Sequence, residues 1–102
     1  MSAAHITGTL TAAEATVAID ARGMRGVALQ LTGTFVGTVT FEASVDMATW
    51  VALNVTPSAS GTDVSTATAP GAWRKDIAGY QGVRARMSAY TSGTAIVHCG
   101  GN

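Results

Sequence analysis

Val27-Ala28-Leu29-Gln30-Leu31-Thr32 and, shortly after it, Thr38-Val39-Thr40-Phe41-Glu42-Ala43-Ser44 decide the fold class. Apolar and polar residues alternate in both stretches. Val27, Leu29 and Leu31 share one side of the first, and Val39, Phe41 and Ala43 one side of the second. Successive side chains of a strand point to opposite faces, so each stretch predicts a strand with one dry face. Gly33 to Gly37, between them, reads as a turn that carries Phe35. Thr49 to Leu53 reads as a short third strand, reached through a turn around Asp46, and the three predict an antiparallel meander. Val83 to Tyr90 alternates in the same way, with Val83, Ala85, Met87 and Ala89 inward and Arg84, Arg86 and Ser88 outward. Thr91-Ser92-Gly93 then reads as a hairpin turn that brings Thr94 to Cys99 back beside it.

The remaining segments are less regular. Thr56 to Gly61 is rich in turn formers and predicts an exposed loop. Asp63 to Thr68 predicts an edge strand, and Ala72 to Ile77 another strand after the Pro70-Gly71 punctuation. Thr7 to Thr11 and Thr16 to Ile19 predict weaker strands, interrupted at Ala12-Ala13-Glu14-Ala15. Eight or nine short strands at this spacing predict an all-β fold, an antiparallel two-sheet β-sandwich of jelly-roll type. One domain over 15–102 is expected, with residues 1–14 as an N-terminal arm. The expected core is Leu29, Leu31, Val39, Phe41, Trp50, Trp73, Val83, Met87 and Val97.

Composition agrees with strands. Thr, Val and Ile contribute 29 β-branched residues of 102, while Lys and Glu, the usual helix-surface residues, total three. Six basic residues balance six acidic ones, which excludes a disordered polyelectrolyte and a protein that holds nucleic acid mainly by counterion release. No run of about 18 apolar residues exists, so no membrane partner is expected. Met-Ser-Ala-Ala-His lacks a basic and then apolar leader, which predicts that no signal peptide directs export. Ala and Gly fill 31 positions. So thin a core predicts self-association, because a neighbour would supply missing buried area.

No catalytic residue, cofactor or metal site is predicted. His5 and His98 are the two histidines, and no nucleophile elbow accompanies Ser88, His98 and Asp63. His98 and Cys99 are adjacent, so on a strand they face opposite ways and cannot chelate one ion. Cys99 reads as a small buried hydrophobe. Glu42, Ser44 and Asp46 share a face at strand spacing and could hold calcium, but Asp46 capping its turn and Glu42 pairing with Arg84 or Arg86 is preferred. Arg84 and Arg86 share one face, with Arg74 and Lys75 close in sequence, and this small basic patch suits an acidic partner surface or, at least as well, a solvated sheet face.

The stretch Gly33-Thr34-Phe35-Val36-Gly37-Thr38-Val39-Thr40-Phe41-Glu42-Ala43-Ser44-Val45-Asp46-Met47-Ala48-Thr49-Trp50 resembles small β-sandwich structural proteins of tailed bacteriophages, of the capsid-decoration and head-fibre type. Gly71-Ala72-Trp73, Tyr80-Gln81-Gly82-Val83-Arg84-Ala85-Arg86 and Tyr90-Thr91-Ser92-Gly93-Thr94-Ala95 fit the same pattern, so the likeness covers about residues 26–99. Met47 stands where such families usually have Gly after the Asp, which predicts a turn of different conformation. The resemblance implies a non-enzymatic virion protein on the capsid surface, assembled in the host bacterial cytoplasm. It would bind the major capsid protein as an oligomer, a homotrimer, and cement the shell. His5 and Ile6, in the arm, join Arg84 and Arg86 as expected partner contacts, the arm pairing with a neighbour by strand addition. The alternative is a carbohydrate-binding module of a head or tail fibre that stacks a host-surface glycan on Trp50 or Trp73.

Overall fold

The computed structural model describes residues 4–58 and 61–102. Residues 1–3 of the expected arm, and Ala59 and Ser60 of the expected 56–61 loop, lie outside them. The strands are β1 (Ala4–Leu10), β2 (Thr16–Asp20), β3 (Gly26–Ser44), β4 (Val51–Ala52), β5 (Thr56–Pro57), β6 (Thr66–Ala67), β7 (Gly71–Asp76) and β8 (Gly82–Gly101). All pair antiparallel, and hydrogen bonding joins them in one sheet of eight strands where two sheets were expected.

Two strands dominate. The 19-residue β3 and the 20-residue β8 run side by side from Val27 opposite Gly101 to Ser44 opposite Gly82. The other edge of β8 carries β1 on Ala95–Gly101 and β2 on Gly82–Arg86. The other edge of β3 carries β7 on Gly26–Leu31, then β6 and β4 on the stretch from Val39 to Ala43. The expected turn at Gly33–Gly37 and hairpin at Thr91–Gly93 are therefore absent among the described residues: strand passes through both places. Of the expected meander the second half forms, β4 pairing antiparallel with the end of β3 beyond the turn around Asp46.

Glycine explains the difference. Gly33 and Gly93 have φ of +93° and +89°, values that L side chains rarely adopt. They mark a kink inside paired strands. The β3–β8 register shifts between Val36 and Gly37 and again between Thr38 and Val39. Each shift inserts one extra residue in β8. A single bulge would turn every later side chain to the wrong face, and two restore it. Val83, Ala85 and Met87 before the bulges and Ala95, Val97 and Cys99 after them all point inward and are buried.

The long strands must bend. A straight 20-residue strand would measure about 65 Å, yet the molecule's longest dimension is 37 Å. Side chains from the two halves of β3 meet across the resulting fold. Phe41, in the second half, packs on Trp73, which pairs with Leu29 in the first, their ring centroids 5.0 Å apart. Gly8 of β1 faces Val17 of β2, where a β-carbon on Gly8 would come within 2.7 Å of the valine. Leu29, Leu31, Val39, Phe41, Trp73, Val83, Met87 and Val97 are all buried between the halves. Trp50 is the exception among the expected core residues. It lies just past β3, half exposed, with the Arg84 guanidinium 4.4 Å from its ring centroid.

Two local expectations meet different outcomes. Asp46 holds its turn, accepting hydrogen bonds from the amides of Ala48 and Thr49 at 2.9 and 2.8 Å and from the Ser44 hydroxyl at 2.9 Å. Those donors hold its carboxyl below the usual carboxylate range. Met47, expected to change the turn, instead takes the left-handed conformation itself, with φ of +61°. Its side chain lies over Gly82, which has no β-carbon to obstruct it. Residues 4–10, expected in the arm, form β1 within this chain's own sheet, and Leu10 is fully buried.

Candidate functional site

The outward face of one half of the sheet carries a connected row of charges. Glu42 on β3 sits directly opposite Arg84 on β8, with Arg86 two residues further along. Burial of Glu42 to 7% exposure leaves a carboxylate that must be compensated. Arg84 Nε donates to its Oε1 at 2.7 Å and Arg86 Nε to the same oxygen at 3.2 Å. Arg86 also reaches Glu14, donating from one terminal nitrogen to both carboxylate oxygens at 3.0 Å. Behind them Thr40 and Ser88 hydroxyls lie 2.7 Å apart.

The electrostatics follow from this packing. Desolvation pushes the Glu42 carboxyl up, but the hydrogen bonds from Arg84 and Arg86 outweigh it and the net shift is downward. The Arg86 guanidinium is held above its usual value, chiefly by its hydrogen bond to Glu42. Both arginines expected to meet a partner are thus engaged within the chain. Glu14 was not foreseen in this row. It comes from the β1–β2 connection, and only the pairing of β2 with β8 brings it near Arg86. Its own φ of +67° lies in the left-handed region, and its amide donates to the Met87 carbonyl at 2.8 Å.

His5 and Ile6 stand on β1, on the other half of the sheet, so the structure does not bring them to Arg84 and Arg86. Ile6 pairs with Cys99 and packs half-buried against the core. His5 is exposed and stacks on His98, the rings 15° from parallel with centroids 6.2 Å apart. The two nitrogens of His98 lie 3.4 and 3.3 Å from the hydroxyls of Thr7 and Thr32. Cys99, one residue on, points the opposite way into the core, and burial pushes its thiol up to about 12. A protonated, enclosed thiol is a poor nucleophile or ligand. Among the described residues no three His, Cys, Asp or Glu side chains converge as a metal site.

β1 is also the end strand of the main hydrogen-bonded path. It carries no charged residue, proline or bulge over its seven positions. Those are the devices by which proteins usually guard an open sheet edge.

Comparison with known proteins agrees with the fold. The chain superposes along its whole length, and over 96% of the other chain, on the crystal structure of the SPBc2 prophage-derived protein YomS, with a TM-score of 0.77 and 16% identity. It matches the PBSX exported protein XepA with a TM-score of 0.77 and 20% identity, over 96% of this chain and 38% of XepA. This chain therefore spans little more than a third of XepA. No protein-family model and no curated protein matches the sequence. At these identities the likeness is one of fold, and that fold is shared with phage-derived proteins.

Proposed function

We propose that the chain is a virion structural protein of a tailed bacteriophage, without enzymatic activity, that decorates the capsid exterior. In this reading the folded sheet is a jelly-roll-like sandwich. Copies associate as a homotrimer at a symmetry axis and bridge major capsid subunits against the pressure of packaged DNA. The observation that carries the reading is the end-to-end match in fold to a prophage-derived protein. The unguarded β1 edge supports it, because an open strand can add to a strand of a neighbour through main-chain hydrogen bonds alone.

The test is the protein's place and number in purified virions, by mass spectrometry and cryo-electron microscopy. Decoration predicts a copy number close to that of the capsid protein. A few copies, or none, would overturn it. Removing residues 1–14 would take out β1 and buried Leu10, so the edge is better probed by Thr7→Lys with Thr9→Lys, on exposed positions. The folded variant should lose capsid occupancy.

A second reading, a carbohydrate-binding module facing the host, is supported by Trp50 alone. Trp73 is buried on Phe41 and has no face to offer a sugar. Saturable binding on a glycan array, abolished by Trp50→Ala, would favour this reading.

A further inference from the structure

Three of the four methionines lie among the described residues, and their surroundings differ. Met87 is fully buried and Met24 half-buried, whereas Met47 is 43% exposed. Met47 alone of the three sits in a left-handed backbone, with φ of +61°. Asp46 fixes that geometry by accepting the amides of Ala48 and Thr49. Glycine would adopt it without strain, and a methionine there bears a backbone cost. What its side chain contributes in return is a cover over Gly82.

The Met47 thioether occupies the space that a β-carbon on Gly82 would take. Trp50 bounds the same space: its Cη2 would lie 2.9 Å from that β-carbon, and the Met47 sulfur nearer still. Sulfur and indole therefore share one small gap, within the range of a sulfur–aromatic contact. The indole in turn holds the Arg84 guanidinium 4.4 Å from its ring centroid, and Arg84 Nε donates to Glu42 at 2.7 Å. A chain of contacts thus begins at a thioether on an exposed residue and ends on a buried carboxylate. Cys99, the other oxidisable sulfur near the sheet, is fully enclosed and stays a thiol.

We propose that Met47 is a peroxide-sensitive modification site whose oxidation releases Trp50 from Arg84. The sulfur lone pair attacks one oxygen of hydrogen peroxide, and an S–O bond forms as the O–O bond breaks. The departing hydroxide takes the proton from the new sulfur-bound hydroxyl and leaves as water. Sulfur gives up two electrons and peroxide accepts them. The product is a polar sulfoxide with one more oxygen, in a gap that the sulfur and Trp50 already fill. It turns toward water, and the indole loses its support over Gly82. Arg84 stays in place, because its bond to Glu42 does not involve the ring. The inference rests on the geometry of this loop and does not depend on the virion reading.

The experiment treats the whole protein with hydrogen peroxide and follows each methionine by peptide mass spectrometry and tryptophan emission in the same samples. Met47 should be oxidised about tenfold faster than Met24 and Met87, in keeping with its exposure. Emission should shift to the red in step with Met47 sulfoxide, as Trp50 enters water while Trp73 stays buried. Methionine sulfoxide reductases should reverse both changes. Met47→Leu keeps an apolar cover over Gly82, so it should show the parent's emission and no response to peroxide. Trp50→Phe should be oxidised at Met47 without a red shift. Oxidation of Met24 or Met87 as fast as Met47, Met47 sulfoxide without a change in emission, or a red shift that persists in Met47→Leu would each overturn the proposal. A red shift in Trp50→Phe would mean that the fold itself had opened and would overturn it equally.

Discussion

In the half of the sheet built from β2, the start of β8 and the end of β3, the outward side chains answer one another. Glu42 holds two arginines, Glu14 shares one of them, and the other covers Trp50. In the half built from β1, the end of β8, the start of β3 and β7, the outward positions of the first three are small or neutral, and β7 presents Arg74 and Asp76, neither in an ion pair among the described residues. The same two long strands supply both faces. One half pairs its charges within the fold, and in the other Arg25, Arg74 and Lys75 form no ion pair among the described residues. A net charge of zero says nothing about that division, since it sums over a segregated surface.

Substitutions can break the comparison. The largest effect is expected at the contact that ties the halves together. Phe41→Ala should cost about 3–5 kcal/mol in denaturant unfolding, because Phe41 is fully buried against Trp73. Retention of near-native stability would mean that the two halves do not depend on each other's packing.

Next comes the closed face. Glu42→Ala leaves two partly buried guanidinium groups without their shared acceptor and should cost about 2–3 kcal/mol. Glu42→Gln keeps an acceptor and should cost less. Equal costs for the two would show that packing, and not charge, matters at this position.

The same carboxylate sets a pH dependence. Its folded-state value lies below the ordinary one, so its contribution is complete above about pH 4.3 and is lost as pH falls through the folded-state value. Unfolding midpoints measured from pH 7 downward should therefore fall more steeply for the parent than for Glu42→Gln. Parallel curves would assign the acid sensitivity to other carboxylates.

The smallest effect belongs to β7. Arg74→Ala should change stability by no more than about 0.5 kcal/mol, as expected for an exposed side chain without an ion-pair partner among the described residues. A cost comparable to that of Glu42→Ala would mean that this position, too, serves the fold.

Much of this was legible in the sequence, at the level of single strands. The alternation in Val27–Leu31, Val39–Ala43 and Val83–Met87 identified the buried face, because period two is a property of the chain itself. The Asp46 turn and the Glu42–Arg84 pair were readable from residue type and spacing. Trp50 was not, since an indole just beyond a strand can fill a core or cover its rim, and the stacked Arg84 arrives from 34 positions away. Gly33 and Gly93 misled for a physical reason. A glycine with positive φ serves a chain reversal and a kinked, bulged strand equally well, and only the partner strand distinguishes them.

The sequence by itself determined that this protein is β-structured, which side of each strand faces inward, and that its charges cancel. Tertiary structure alone decided that two segments almost 40 residues apart would run together as one bent pair, that the strands would form a single sheet, and which cations would be left without partners. The reason is range. Alternation and turn chemistry act between near neighbours, whereas strand pairing and ion pairing join residues whose proximity exists only after the chain has folded.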